Sequence, residues 1–262
     1  MTGYAYAGSP LPAITTAGST RTPARTVAWR VLALEIADLT KTYGRTTALD
    51  GVSFSARPGE LLGVIGPNGA GKTTLFECIA GVLPCDRGTV RVFGQVARGS
   101  SPQVFYLPDG IAPWPAQRLG WALRFVRDFF GGHDARRAEL IETLALERLL
   151  DQRIGTLSKG QRKRALLAMG LLTPQPVLLA DEPFDGLDLR QTRELMTRLR
   201  GEIAWGRTLV LSIHQIADAA RVCDRFVLLS DGRVRGEGTL DELAARAPMP
   251  AAGLEEVFLA LT

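Results

Sequence analysis

The spacing of hydrophobic residues changes along the chain and predicts strands that alternate with helices. Partial alternation over 31–36 and 52–56, bounded by turn residues, predicts antiparallel strands. The continuous apolar run at 177–180 is typical of a strand buried on both faces of a parallel sheet, and runs at 61–65 and 208–213 predict further strands. We therefore expect an α/β fold with a parallel sheet, helices on both of its faces, and a small antiparallel β subdomain.

A different pattern occupies the segment from about residue 115 to 152. Leu119, Leu123 and Val126 recur at helical spacing, so we expect an inserted helical subdomain within 107–153. The segment also holds more aromatic residues than one buried stripe needs, namely Trp114, Trp121, Phe125 and Phe129. This surplus is explained either by a second apolar face that docks a partner or by ordinary core packing.

The remaining sequence predicts a single domain over 31–262 that ends in helical segments over 239–262. Residues 1–30 lack apolar periodicity and predict a flexible tail. The apolar runs are shorter than the ~20 residues that cross a bilayer. The three cysteines show no C-x-x-C spacing, which favours reduced thiols in the cytosol. The net charge of +4 is spread along the chain, so we expect no nucleic-acid partner.

The most specific motif is a glycine-rich loop between the predicted strand 61–65 and a predicted helix over 71–82. Residues 66–73 read Gly-Pro-Asn-Gly-Ala-Gly-Lys-Thr, the complete G-x-x-x-x-G-K-[ST] pattern. Glycines let backbone N–H groups turn towards a phosphate. Lys72 can reach oxygens of the β- and γ-phosphates of a nucleoside triphosphate, and the Thr73 hydroxyl can ligate Mg²⁺. The helix dipole adds positive potential. The loop therefore predicts a P-loop NTPase core that binds a nucleoside triphosphate.

Two carboxylates, Asp181 and Glu182, directly follow the apolar run 177–180. Ligands of parallel α/β sheets bind at the carboxyl ends of strands, so both side chains are expected beside the P-loop. Asp181 is suited to hold Mg²⁺, and Glu182 to accept a proton from an attacking water. Either carboxylate alone would be interpreted as an acidic turn, but the upstream P-loop favours phosphate-cleaving chemistry.

The segment 157–161, Leu-Ser-Lys-Gly-Gln, precedes an apolar-rich helix. Ser158 and Gln161 form an S-x-x-Q capping box, which explains the pair without any ligand. A capped helix N-terminus is nevertheless also an anion site, because free N–H groups and the dipole point outward. Together with the P-loop and the two carboxylates, this segment resembles the ATP-binding cassette (ABC) family from about residue 31 to the C-terminus.

The resemblance implies a nucleotide site shared between two chains. Residues 66–73 resemble the Walker A loop, 177–182 resemble Walker B with the catalytic glutamate, and 157–161 resemble the signature that closes over the partner's ATP. Residues 185–188 resemble the D-loop. The implied catalytic residues are Lys72, Glu182 and the switch histidine His214, and the implied metal ligands are Thr73, Asp181 and Asp109. The implied nucleotide-binding residues are Tyr43, which would stack on adenine, and Gly66, Pro67, Asn68, Gly69, Ala70, Gly71, Lys72, Thr73, Thr74, Asp109, Ser158, Lys159, Gly160, Gln161 and Asp188.

Two residues depart from the family's usual pattern. Lys159 replaces a glycine of the signature, and Asp109 stands where the family usually has the Q-loop glutamine. A carboxylate can still ligate Mg²⁺ or accept a hydrogen bond from water, but it cannot donate one. The basic stretch 162–164 is interpreted as a solvated helix face. Lys159 and Asp109, together with the C-terminal sequence 254–261, resemble the ABC-2 export branch of the family.

We therefore expect an ATP-hydrolysing subunit that dimerises around two Mg-ATP molecules. It would drive export through a separate membrane permease, docked on the helical insertion at the cytoplasmic face. The alternative within the family is a soluble ABC ATPase that acts on nucleic acid or ribosomes. A kinase would not need the signature, and a GTPase would be expected to carry an N-K-x-D motif that recognises the guanine base. A non-catalytic subunit is disfavoured by Glu182.

Overall fold

The computed structural model describes residues 31–247 and 253–262, so the predicted tail over 1–30 lies outside the described residues. The strands are β1 (Leu34–Tyr43), β2 (Thr46–Ala56), β3 (Leu61–Ile65), β4 (Arg87–Val92), β5 (Gln95–Val96), β6 (Val104–Leu107), β7 (Val177–Asp181), β8 (Thr208–Ile213), β9 (Arg225–Ser230) and β10 (Arg233–Gly238). The helices are α1 (Lys72–Ala80), α2 (Leu119–Phe129), α3 (Asp134–Thr143), α4 (Lys159–Leu171), α5 (Leu189–Ala204), α6 (Ile216–Val222), α7 (Leu240–Ala244) and α8 (Leu254–Leu261). Across these two ranges, no helix combines the length and the apolar character that a membrane span requires.

A six-stranded sheet with the order β10-β9-β3-β8-β7-β6 forms the larger of the two sheets. Strands β6, β7, β8, β3 and β9 run parallel, so the residues that follow β3, β7 and β8 meet at one edge. The sequence pattern does not predict β10, which pairs antiparallel with β9 and reads Arg-Val-Arg-Gly-Glu-Gly without an apolar run. The predicted α/β fold is confirmed, with this added antiparallel edge strand.

A four-stranded antiparallel sheet, with the order β2-β1-β4-β5, forms the predicted β subdomain. The predicted strands over 31–36 and 52–56 correspond to parts of the longer strands β1 and β2. The register of β1 shifts between Ile36 and Leu39, where Asp38 has a left-handed φ of 52°. A bulge of this kind breaks the alternation of inward and outward side chains. Periodicity therefore predicts only segments of these strands.

The parallel strands bury both of their faces, and neighbouring residues along a strand enter different hydrophobic clusters. In β3, Leu61 packs in the cluster that includes α4, α5 and α6, whereas Leu62 packs in the cluster that includes α1 and the antiparallel sheet. In β8, Leu209 and Val210 divide in the same way. Burial on both faces explains the continuous apolar runs. The packing on both faces also fixes the positions of the strand ends that carry the site.

Ion pairs around Glu202 join α3, which lies in the inserted region, to α5. The Glu202 side chain is 1% exposed, and its carboxylate accepts hydrogen bonds from Arg136 of α3 and, at 2.6 Å, from Arg198 of α5. Arg207 donates to the same carboxylate at 3.1 Å. Burial lowers the pKa of Arg207, and the charge of Glu202 opposes that shift. A single buried carboxylate thus ties the inserted helix to the core.

Candidate nucleotide-binding site

The glycine-rich loop lies between β3 and α1, and at two positions its backbone leaves no room for a side chain. A Cβ at Gly66 would lie 2.2 Å from the carbonyl oxygen of Leu229, and a Cβ at Gly71 would lie 2.6 Å from that of Ala48. Gly71 also has a φ of 103°, which residues with a side chain rarely adopt. These contacts keep the loop close to β9 and β2 and explain the glycines there.

Lys72 begins α1, and its side chain folds back over the loop. Its Nζ donates to the carbonyl oxygens of Gly66 at 2.8 Å and Pro67 at 3.2 Å. The same ammonium lies 3.4 Å from Glu182 Oε1. Because Lys72 is buried, its charge requires such acceptors. A triphosphate in the loop would offer the same ammonium anionic oxygens.

Asp181, the last residue of β7, is hydrogen-bonded through both carboxylate oxygens. Thr73 Oγ1 donates to Oδ2 at 2.7 Å, and Ser212 Oγ donates to Oδ1. Ser212 lies opposite Asp181 in the pairing of β8 with β7. Hydroxyl and carboxylate oxygens are ligands that Mg²⁺ prefers, and the described residues contain no larger His, Cys, Asp and Glu cluster. The donor set fits a Mg²⁺ ion that also takes phosphate or water oxygens as ligands.

Glu182 follows β7 with a left-handed φ of 48°. Its N–H donates to Ser212 Oγ at 2.9 Å, and its carboxylate Oε2 lies 2.6 Å from His214 Nδ1 and accepts the His214 N–H at 3.2 Å. A residue with a side chain in this conformation costs about 1–3 kcal/mol and must be held by its surroundings. The three residues predicted as catalytic, Lys72, Glu182 and His214, therefore meet at one point.

An open cavity of about 350 Å³ lies beside these groups. It is lined by Ala48, Asn68, Gly69, Gly71, Lys72, Thr73, Thr74, Asp109, Asp181 and Glu182. A cavity of this size suits a small-molecule ligand. The strand ends thus bring part of the P-loop, the carboxylates of Asp181 and Glu182 at the end of β7, and Asp109 from the loop after β6 to a single cavity.

The predicted signature residues lie outside this cavity, at the start of α4. The Gln161 N–H donates to Ser158 Oγ at 3.3 Å, and the Ser158 N–H donates to Gln161 Oε1 at 2.9 Å, which is the expected capping box. Lys159 pairs with Asp185 at 2.6 Å, and its hydrogen bond lowers the pKa of that carboxyl. A Cβ at Gly160 would lie 2.6 Å from a carbonyl oxygen in the same turn as Asp185. The start of α4 therefore packs directly on the predicted D-loop.

Of the predicted nucleotide-binding residues in the P-loop, Gly66, Pro67 and Ala70 do not line the cavity. Two predicted residues from other parts of the chain also lie outside it. Tyr43, at the end of β1, is 49% exposed, and the Lys41 ammonium lies 5.8 Å from its ring centroid. Asp188 caps α5 by accepting the Gln191 N–H at 2.8 Å. Neither residue lines the cavity around the P-loop.

Comparison with known sequences identifies the family to which this site belongs. The sequence model of the ABC transporter family matches residues 49–185. The chain belongs to this family. It is 37% identical over 223 residues to Nod factor export ATP-binding protein I of Paraburkholderia xenovorans (strain LB400), covering 81% of this chain and 73% of that protein. It is 30% identical over 237 residues to the ABC-type transporter ATP-binding protein EcsA of Bacillus subtilis (strain 168), covering 87% and 96%.

Solved structures of ABC proteins share the fold. The structure of an ATP-binding subunit of an ABC transporter matches with a TM-score of 0.79 and 31% identity over 87% of this chain and 99% of that one. An ATP-bound bacterial Atm1-family ABC exporter, 22% identical, matches with a TM-score of 0.74 over 86% and 41%. The predicted family and activity are confirmed: the chain is an ATP-hydrolysing subunit of an ABC transporter. The alternative role on nucleic acid or ribosomes gains no support.

Sequence reasoning misses two residues of this ABC site. Ser212 interrupts an apolar strand, and a hydroxyl buried there needs a partner, which is a usable signal. The prediction of a solvated face is wrong for Lys163, whose side chain is 6% exposed and pairs with Asp109. The neighbouring Arg164 also turns inward, donating to the carbonyl oxygen of Leu144 at 2.8 Å. The sequence of three basic residues at 162–164 does not show that their side chains lie in different environments.

Proposed function

We propose that this ATPase subunit works in a dimer in which ATP lies between the P-loop of one chain and the signature of the other. The observation that carries the catalytic part of the proposal is the Glu182 carboxylate, held between the Lys72 ammonium and the His214 imidazole. Lys72 and the loop amides bind the phosphates, and Glu182 accepts a proton from the attacking water. His214 orients Glu182 and contacts the γ-phosphate.

Thr73 and Asp181 are the proposed protein ligands of the Mg²⁺ ion that accompanies ATP. Their oxygens lie 2.7 Å apart, and both residues line the cavity. The ion, when bound, neutralises charge on the phosphate oxygens. Ser212 orients Asp181 by donating to its other carboxylate oxygen. Asp109 lines the same cavity and stays a predicted ligand.

The position of the signature supports the dimer. Ser158 and Gly160 do not line the cavity formed by their own P-loop, so another chain is needed to use them on a nucleotide. Helix α4 has 13 residues, and its N-terminal N–H groups and dipole favour an anion. The exposed ring of Tyr43 is proposed to stack on adenine. The partner is a second copy or a related subunit.

The permease is proposed to dock on a row of exposed aromatic rings along α2, which we name the aromatic ladder. Trp121, Phe125 and Phe129 follow one another with ring centroids 5.2 Å and 6.1 Å apart, and Trp114 packs edge-on against the first two. The four side chains are between 37% and 71% exposed, so core packing does not explain them. Rigid aromatic rings of this kind are typical anchors of protein interfaces.

An arginine-lined cavity of about 550 Å³ beside the ladder indicates the chemistry of the docking segment. Its lining includes Arg118, Arg124, Arg137 and Arg153. Asp151, the carboxylate in this lining, pairs with Arg118 at 3.2 Å. Arg137 also pairs with Asp134 at 3.2 Å, so the excess positive charge comes from Arg124 and Arg153. It favours a permease segment that carries acidic residues next to its apolar ones.

The remaining predictions follow from this assignment. We propose residues 31–262 as one ATPase domain, with the helical insertion over 107–153 and the helical end over 239–262. The subunit would act at the cytoplasmic face of the membrane. Export is the proposed direction, supported by the relatives whose names describe export ATP-binding proteins.

Glu182→Gln tests the assignment of the general base. The amide has nearly the same shape but cannot accept the proton, so we expect ATP turnover to fall by about 10²-fold or more. Dimers should persist with Mg-ATP and be visible by size-exclusion chromatography. Glu194→Gln, at an exposed position of α5, is the control and should hydrolyse ATP like the parent. Unchanged hydrolysis by Glu182→Gln would rule out the base assignment.

The docking site is tested with the membrane protein that co-purifies with the subunit and stimulates its ATPase activity. Joint replacement of Trp121 and Phe125 by Ala should remove the stimulation. Leu259→Ala removes apolar surface at a site that is 72% exposed and should retain it. Stimulation that survives loss of both aromatic rings contradicts docking on the ladder.

A further inference from the structure

Two lysines lie one turn apart on α4, and each pairs with an aspartate from a different loop of the site. Lys159 Nζ is 2.6 Å from the carboxylate of Asp185, in the turn before α5. Lys163 is ion-paired with Asp109, in the loop after β6. Residues four apart on a helix share a face, so one side of α4 contacts both loops.

The two ion pairs differ in their exposure to water. Lys159 is 60% exposed, and solvent screens its pair with Asp185. Lys163 is 6% exposed, and its Nζ also donates to the carbonyl oxygen of Asp181 at 3.5 Å. A buried ammonium is strongly dependent on its counter-charge. Asp109 is therefore held by α4 rather than left free in its loop.

Asp109 faces two parts of the site at once. Its carboxylate meets Lys163 on one side, and the residue lines the nucleotide cavity together with Thr73 and Asp181. Through Lys163, the loop that lines this cavity is thus linked to α4 and to the end of β7.

The N-terminus of α4 carries Ser158 and Gly160, the residues proposed to meet the nucleotide of the partner chain. We propose that Lys163 is a positioning residue: through its ion pair with Asp109, it sets this edge of α4 relative to the chain's own nucleotide cavity. Formation of the ATP-bound dimer then depends on Lys163, although Lys163 touches no reacting atom. This inference rests on the proposed dimer.

The test uses the full chain with Glu182→Gln as the parent, because hydrolysis is then slow. Dimerisation is measured by analytical ultracentrifugation at saturating Mg-ATP, with bound nucleotide quantified so that occupancy is equal in all samples. Lys163→Gln should raise the dimer dissociation constant by about tenfold or more, the size of a lost charge-assisted hydrogen bond. Lys163→Arg keeps a cation and should restore most of the dimerisation.

Asp109→Asn gives a second route to the same result: it removes the counter-charge of Lys163, while the side chain of residue 109, which is 35% exposed in the parent, keeps an amide oxygen that can accept a hydrogen bond. It should weaken dimerisation by a similar factor, and the double variant with Lys163→Gln should be no worse than either single one. Arg162→Gln removes the charge of the neighbouring residue of α4 and serves as the matched control, with dimerisation like the parent.

Each result has a distinct meaning. Parent-like dimerisation of Lys163→Gln overturns the proposal. A loss that Lys163→Arg shares, or losses that add in the double variant, indicates general disruption of α4 and also overturns it. A parent that fails to dimerise with Mg-ATP instead overturns the proposed dimer, and this inference with it.

Discussion

Glu202→Ala should destabilise the folded chain strongly, because three arginines would lose their shared carboxylate. Glu202 is 1% exposed, and Arg136, Arg198 and Arg207 are 15%, 9% and 11% exposed. Removing one partner from a buried ion pair costs about 3–5 kcal/mol, since the remaining charge stays buried and unpaired. Glu139 still pairs with Arg136 at 3.0 Å and Arg198 at 2.5 Å, so we expect the lower end of that range.

Equilibrium unfolding in urea measures this loss as a lower midpoint at constant slope. A loss of about 3 kcal/mol corresponds to a Tm that is roughly 6–12 °C lower in a domain of this size. Glu194→Ala is the matched control: it removes a carboxylate from the same helix, but its pair with Arg190 is at the surface and contributes little. A Glu202→Ala midpoint equal to that of the control would refute the reasoning.

Three other perturbations probe separate parts of the molecule. Ser212→Ala should lower ATP turnover by about tenfold and stability by about 1–2 kcal/mol in kinetic and unfolding assays, because Asp181 loses a hydroxyl donor; wild-type turnover would contradict this role. Burial, and then the charge of Cys85, raises the pKa of Cys78 to about 11. At about pH 8, iodoacetamide should therefore label Cys85 before Cys78, because the Cys78 thiol is still protonated. The labelling rate of Cys78 should rise as the pH approaches the pKa of Cys78; equal rates for the two cysteines at about pH 8 would contradict this prediction. Gly81→Ala should cost about 2–4 kcal/mol in urea unfolding, because φ is 72° and a Cβ would lie 2.1 Å from a backbone carbon; an unchanged midpoint would contradict that clash.

The parts of the site that follow the carboxyl ends of predicted parallel strands can be predicted from the sequence. The P-loop is one continuous segment, and the meeting of Glu182 with His214 follows from two parallel strands whose carboxyl ends share an edge. The family's ordered motifs then give the ATPase activity. The approach of Asp181 to Thr73 is predictable for the same reason, because β3 and β7 both flank β8.

Features that depend on long-range packing could not be predicted in this way. The orientation of α4 buries Lys163 and exposes Lys159, although both are single lysines in a polar stretch. Strand β10 has no apolar run and is stabilised by its pairing with β9. The sequence shows the surplus of aromatic residues on α2, but only the packing of the helix shows that they face outward.

The aromatic ladder also bears on how the cell would handle a subunit made without its permease. An exposed cluster of large apolar rings is a surface that promotes aggregation and engages chaperones and proteases. If the permease covers the ladder as proposed, a subunit made without it would be short-lived, and the abundance of the subunit would follow that of the permease. The exposed rings of α2 then make balanced synthesis of the ATPase subunit and the permease a requirement.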